Sequence, residues 1–216
     1  MELMAIEAAI EHLRRGGMII VVDDEDRENE GDLTIAAQVV TPEAINFMIS
    51  HGRGLVCMPC DGARLDELEI GSMVAENTAE HETAFAVSID HREAGSGISA
   101  HDRAFTIRQV MSSAAKPVHF ARPGHVFPLR ARPGGVLERA GHTEASVDLA
   151  RLAGFAPCAV ICEILDVEGA PARMPYLVEF GVEHEIPLVS IESLIEHRLQ
   201  REPIRESEYE VLRALE

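Results

Sequence analysis

The chain reads as an α/β protein of the α+β kind, a mixed sheet in a layered sandwich with helices on its faces, forming one domain over residues 1–216. Three observations predict this. Short apolar runs such as Met18-Ile19-Ile20-Val21-Val22 alternate with segments of helical spacing. Cap and turn residues punctuate nearly every junction between them. The stretch 117–141, dense in Pro, Gly and Arg, breaks the alternation and argues against a plain doubly wound sheet.

The elements follow in order. Leu3, Ile6, Ile10 and Leu13 mark one face of a first helix that Gly16-Gly17 ends. MIIVV is a strand, and DLTIAAQVV after the acidic loop is a second. Thr41-Pro42 opens a helix to about Ser50, with Thr as N-cap and Pro in its first turn. RGLVCMP is a third strand, Leu65–Ile70 a short helical piece, and AFAVSID (84–90) a strand. Ser99 with Asp102 three residues on forms a capping box, so a helix starts there. HVFPL and GVLE are strand-like pieces inside 117–141. Thr143 caps the helix EASVDLARLA, CAVICEIL is a strong strand, and Pro175 starts a helix. IPLVSI and ESLIEHRLQ close the order as strand and helix.

Composition excludes several functions. The chain is 46% hydrophobic, enough for a full core, and carries 37 acids against 19 bases for a net charge of -18. No basic run could track a nucleic-acid backbone or an anionic membrane surface. No apolar stretch approaches the length of a membrane span. The N-terminus carries Glu2 and Glu7 and lacks the cationic start of a signal peptide, so a cytoplasmic protein is expected. Lys116 is the only lysine, and it lies far from any acidic cluster, which argues against Schiff-base chemistry. Cys57-Met-Pro-Cys60 and Cys158-Ala-Val-Ile-Cys162 lack the two tight loops of a zinc site. Cys60, Cys158 and Cys162 are read as reduced buried thiols, and the role of Cys57 is left open.

The most informative segment is 23–32, Asp-Asp-Glu-Asp-Arg-Glu-Asn-Glu-Gly-Asp, which follows the apolar run ending at Val22. It is either a solvated acidic loop or a cation site, since carboxylate oxygens suit a hard cation such as Mg²⁺, Mn²⁺ or Ca²⁺. Arg27 either neutralises its neighbours or grips a phosphate or carboxylate. An EF-hand beginning at Asp26 fails because its twelfth position is Ala37. Arg139-Ala140-Gly141-His142-Thr143-Glu144 is the second constellation. It places an Arg and a His at a helix start, whose free N–H groups and positive dipole end favour an anion. Glu163 is the third, the one charge in CAVICEIL. It either faces solvent or sits in a site as a general base. His125, on a loop bounded by Gly124 and Pro128, is a further acid/base candidate.

Five motifs in this order resemble one family: RENEGD at 27–32, GLVCMP at 54–59, GISAHDR at 97–103, GHVFPL at 124–129 and RAGHTEA at 139–145. Together they closely resemble 3,4-dihydroxy-2-butanone 4-phosphate synthase. Gly95-Ser96-Gly97 stands where that family commonly has Thr-Thr-Gly. The resemblance implies a lyase of riboflavin synthesis that takes D-ribulose 5-phosphate to L-3,4-dihydroxy-2-butanone 4-phosphate and formate with Mg²⁺, Mn²⁺ being the other candidate ion. By motif, it implies metal binding by Glu28 and His142. Substrate contacts would come from Arg27, Glu28, Asp32, Glu163 and the stretch Arg139, Ala140, Gly141, His142, Thr143. His125 and Glu163 would do acid/base work, and Cys57 would line the site. It also implies a homodimer whose site draws on both subunits. The chain ends just past its last helix, so a C-terminal GTP cyclohydrolase II domain is not expected. The rival from another class is a non-catalytic module for a divalent metal or a phosphate, which would have no use for Glu163 in an apolar strand.

Overall fold

A strand buried on both faces must carry apolar side chains on both, and β1 (Ile19–Val22) does. Ile20 and Val22 pack into one core and Ile19 and Val21 into another, so the sheet divides two apolar layers. The computed structural model describes residues 3–202. The other strands are β2 (Gly31–Ala36), β3 (Cys57–Cys60), β4 (Ile89–His91), β5 (Phe120–Arg130), β6 (Ala159–Glu163) and β7 (Leu188–Ser190). They form one sheet in the order β4-β5-β3-β6-β2-β1-β7. The pairs β1/β7 and β3/β5 are parallel, and β1/β2, β2/β6, β3/β6 and β4/β5 are antiparallel. The mixed α/β sandwich expected from the sequence is therefore present.

One face is covered by α2 (Pro42–Phe47), α4 (Ala100–Val110) and α6 (Met174–Glu183), through residues such as Ile45, Ala104, Ile107, Leu177 and Phe180. The other is covered by α1 (Ile6–Arg14), α5 (His142–Leu152) and α7 (Ile191–Arg201), through Ile10, Leu13, Ala145, Leu149 and Leu194. A short α3 (Gly62–Glu67) follows β3. Among the described residues no helix is long and apolar enough to cross a membrane.

Several boundaries differ from the sequence reading, each for a local reason. Leu3 precedes α1 and is exposed, because the chain there is still extended toward β7. β2 stops at Ala36, and 37–39 turn into a 3-10 segment as Ala37 N–H bonds Cys158 O. The Thr41 side chain does accept from Ala44 N, but α2 widens after Phe47 into a π-type turn ending with Arg53 at φ 70°. α3 begins earlier than expected, because Asp61 accepts from Arg64 N and acts as its cap. Of AFAVSID only Ile89–Asp90 joins a strand, while Phe85 and Ala86 make isolated bridges. The Pro-rich HVFPL lies within the eleven-residue edge-side strand β5, and GVLE forms a 3-10 turn. Ser99 caps α4 through Asp102 N, but the Asp102 carboxylate does not complete the box. It accepts from Gly95 and Gly97 N instead. The N-cap of α5 is Gly141 rather than Thr143, which lies buried inside the first turn.

The cysteines need one correction. Cys162 is free and buried, as expected, and so is Cys57, whose state was left open, but a disulfide joins Cys60 to Cys158. The antiparallel edge between β3 and β6 sets these residues directly opposite, Cα atoms 4.1 Å apart. Linear spacing cannot reveal a pairing made by strand register.

The central strands should dominate stability. Leu33→Ala, at a fully buried position between β1 and β6, is expected to cost about 3 kcal/mol, by lost transfer energy plus the cavity left behind. Urea unfolding measures this, and an unchanged midpoint would contradict the layered core described here.

Candidate active site

Strand register gathers the charged residues. β1 and β2 are joined by the acidic loop, and Asp32 sits beside Val21 on one flank and Glu163 on the other. Two carboxylates thus share one rung at the end of adjacent strands. Cys57 pairs with Ile161 on the next strand. The N-terminus of α5 meets this strand end. A cavity of about 140 Å³ results, lined by Arg27, Glu28, Asp32 and Cys57, by Arg139, His142 and Thr143, and by Glu163. Glu30, Thr83, Phe85, Leu129 and Ile161 complete its wall.

Asp23 shapes the loop. Its Oδ1 accepts from Glu30 N at 2.8 Å, and its Oδ2 accepts from Glu28 N at 3.1 Å and from the Arg27 guanidinium at 2.9 Å. The same guanidinium nitrogen donates to Glu28 Oε2 at 2.6 Å. Arg173, at the start of α6, donates to the carbonyls of Glu28 and Asn29 and ties the loop to the helical layer. On the far side Glu28 Oε2 faces His142 Nδ1 at 3.5 Å. His142 is buried, and its Nε2 has no hydrogen-bond partner among the described residues.

These contacts set the charges. The contact with His142 lowers the Glu28 pKa, burial opposes this, and Arg27 reinforces it, leaving the carboxyl at about 2. Burial works against a protonated His142, but the negative charges of Asp32, Glu28 and Asp23 outweigh it and raise its pKa to about 9. Burial is also the main cause at Asp32, where Glu163 and Glu28 add to it against the pull of His142, and its pKa rises to about 7. Burial, then Glu163 and Asp32, push the Cys57 thiol well above its usual range, so it stays protonated. Cys57 is a small buried residue of the cavity wall.

Asp23, Glu28 and His142 present ligand atoms within 4.8 Å of one another. The Asp23 oxygens already take three hydrogen bonds, and its side chain is 1% exposed. It organises the loop, which leaves Glu28 and His142 as the donors for a cation. One carboxylate, one imidazole and a polar cavity with room for water or sugar oxygens fit Mg²⁺ or Mn²⁺. Glu163 is half-buried and lines the cavity, where its Oε2 accepts from Leu55 N at 2.8 Å. A Cβ on Gly54 would lie 2.5 Å from that oxygen, so glycine there makes room for the carboxylate.

Positive charge gathers around Gly141. A Cβ there would come within 2.4 Å of an Arg139 guanidinium nitrogen and 3.0 Å of an Arg27 one. Two guanidinium groups thus flank the start of an eleven-residue helix, where backbone N–H groups are free.

Three expected site residues lie elsewhere. Ala140 packs against the second apolar core, and Gly141 supports the arginines without lining the cavity. His125 is also outside the lining. Asp90 Oδ2 is 2.6 Å from His125 Nδ1, and Asp90 Oδ1 accepts from His125 N at 2.9 Å. A carboxylate only accepts, so Nδ1 carries the hydrogen and Nε2 is left as the reactive nitrogen. Gly97 makes this pairing possible, since a Cβ there would strike both residues. Sequence reading missed Asp90, Thr83 and the organising role of Asp23. Asp90 follows an apolar run with no local mark of its partner, whereas Asp23 directly after a strand was a visible signal.

The family model for 3,4-dihydroxy-2-butanone 4-phosphate synthase matches residues 7–197. The chain belongs to this family. It is 57% identical over 204 residues to the riboflavin biosynthesis protein RibBA of Aquifex aeolicus, covering 93% of this chain and 50% of that protein. It is 54% identical over 202 residues to a 3,4-dihydroxy-2-butanone 4-phosphate synthase of Wolinella succinogenes, covering 94% and 58% respectively. The chain therefore spans about half the length of the curated relatives it matches. Among solved structures it is similar to RibBX, a two-domain 3,4-dihydroxy-2-butanone 4-phosphate synthase from A. baumannii. The TM-score is 0.89 at 47% identity, over 92% of this chain and 59% of that one. It is also similar to a synthase of the family in complex with two magnesium ions. There the TM-score is 0.88 at 42% identity, over 92% of this chain and 98% of that one.

The charge balance predicts a pH signature without metal. His142 titrates higher folded than its ordinary value of 6.5, so the stability it contributes is complete below about 6.5 and is lost as pH rises through about 9. In EDTA, the His142 ring resonances followed by NMR should titrate with a midpoint near 9, and a midpoint at or below 6.5 would contradict a protonated His142 at neutral pH.

Proposed function

We propose that this protein converts D-ribulose 5-phosphate to L-3,4-dihydroxy-2-butanone 4-phosphate and formate, a step of riboflavin synthesis, with Mg²⁺ or Mn²⁺ held by Glu28 and His142. The observation that carries this reading is the convergence of Glu28, His142, Asp32, Glu163, Arg27 and Arg139 on one cavity. The printed names of the relatives support the activity, and the two magnesium ions of a solved relative support a divalent cation. The single seven-stranded sheet supports reading residues 1–216 as one domain.

The residues divide the work by chemistry. A bound divalent ion would supply Lewis acidity toward sugar oxygens that gain negative charge. Arg27, Arg139 and the N–H groups at the start of α5 would take the phosphate, fixing one end of the substrate. Removing a proton next to the ketone gives an enediolate and needs a positioned base. Glu163 fits that role, because the Leu55 N–H holds one oxygen and leaves the other for the cavity. Asp32, with its pKa raised to about 7, can hold or release a proton near neutral pH beside the sugar hydroxyls. Buried Ile161, Leu129 and Cys57 keep bulk water from one wall, which strengthens these charge interactions.

His125 completes the set from another copy. It stands outside its own chain's cavity with Nδ1 fixed by Asp90. We take the active unit to be a homodimer in which each site receives His125 from the second subunit.

Three measurements test these assignments. Formate release from ribulose 5-phosphate should require a divalent ion and cease in EDTA; metal-independent turnover would refute the cation's part. Glu163→Gln should lose roughly a hundredfold or more in kcat while still binding substrate. A near-wild-type rate would end its role as base. Mixing inactive His125→Ala with inactive Glu163→Gln should restore formate release, since a mixed dimer keeps one intact site. No recovery after subunit exchange would place both residues in one chain's site.

A further inference from the structure

Glu144 is a buried carboxylate that the reaction itself does not use. It lies in the first turn of α5, 1% exposed, and does not line the cavity. A buried carboxylate needs partners, and both its oxygens have them. Oε1 accepts from Arg132 N at 3.0 Å, and Oε2 accepts from the Arg139 guanidinium at 2.6 Å. The Arg139 side chain is 16% exposed, so this contact is largely shielded from water and holds direction as well as charge.

The rest of the Arg139 fork is also occupied. Its Nε and NH2 donate to the His81 carbonyl at 3.2 and 2.8 Å, and NH2 donates to Thr83 Oγ1 at 3.2 Å. The guanidinium is therefore bracketed: α5 holds one edge and the 81–83 segment of the cavity wall holds the other. Glu144 and the 81–83 segment together hold the fork beside Gly141 at the start of α5.

We infer that Glu144 is a positioning residue, which aims Arg139 at the substrate phosphate and through it fixes the 81–83 segment, whose Thr83 lines the cavity. The inference rests on the phosphosugar reading of the cavity. Its structural alternative is that Glu144 only ties the turn at Arg132 to the helix. The Arg139 contact separates the two, because a positioning role vanishes when Arg139 is absent and a turn-tying role does not.

A double-mutant cycle decides it. KM and kcat for ribulose 5-phosphate, and the dissociation constant for inorganic phosphate by calorimetry, are measured for wild type, Glu144→Gln, Arg139→Ala and the double variant. Glu144→Gln keeps an acceptor for Arg132 N but loses the charge. It should weaken phosphate binding and raise KM by about tenfold, the size expected for one charge-assisted hydrogen bond, with a smaller change in kcat. In the Arg139→Ala background the same change should move KM by less than about twofold. Equal losses in both backgrounds, or wild-type phosphate binding in Glu144→Gln, would overturn the inference. Should Glu144→Gln not fold, Glu144→Asp is put through the same cycle with the same criteria. If wild type neither binds phosphate nor releases formate, the proposed function itself fails, which is a different result from a wild type that works and a cycle without coupling.

Discussion

The contact on which the site depends is that between Glu28 and His142. The chain places several carboxylates at the end of two adjacent strands, where burial and mutual repulsion raise their free energy. A protonated imidazole within 3.5 Å of Glu28 offsets part of that cost, and Arg27 offsets more from the other side. The asymmetry of the outcome is informative. Glu28, between two cations, stays ionised down to about pH 2, whereas Asp32, deeper and without a hydrogen-bonded cation, holds its proton to about pH 7. One strand end therefore pairs a carboxylate held ionised with a carboxyl poised to exchange a proton.

The fold makes this arrangement by register. Antiparallel pairing of β2 with β6 sets Asp32 beside Glu163, and the helix after the 117–141 segment returns to the same edge with His142 in its first turn. Helices on both sheet faces bury the strands fully, so the charged strand ends have little alternative but the cavity. The segment 132–139 is itself anchored: Asp148 accepts from Val136 N, and Arg198 bridges Asp148 and the Gly134 carbonyl. That buried pair fixes the loop delivering Arg139, so α7 supports the site from the layer it shares with α5.

Much of this was legible in the sequence because the signals are local. Strand cores, the Thr41 and Ser99 caps and the acidic loop each occupy consecutive residues, and the ordered motifs carried the family resemblance. What was not legible depends on pairing across the chain. The Cys60–Cys158 disulfide, the Asp90 partner of His125 and the Glu144 grip on Arg139 join residues by strand register, chain reversal or side-chain direction. The α5 cap was misplaced by two residues because Gly141 can precede a helix with no side-chain mark, while Thr143 is a strong cap type.

The central claim is that a divalent ion binds between Glu28 and His142. Crystals of the protein soaked in Mn²⁺ and measured at an anomalous wavelength test it most directly. The account predicts a peak roughly 2–2.5 Å from a Glu28 oxygen and a His142 ring nitrogen. A well-occupied peak elsewhere, with Glu28 and His142 still in contact with each other, would contradict it.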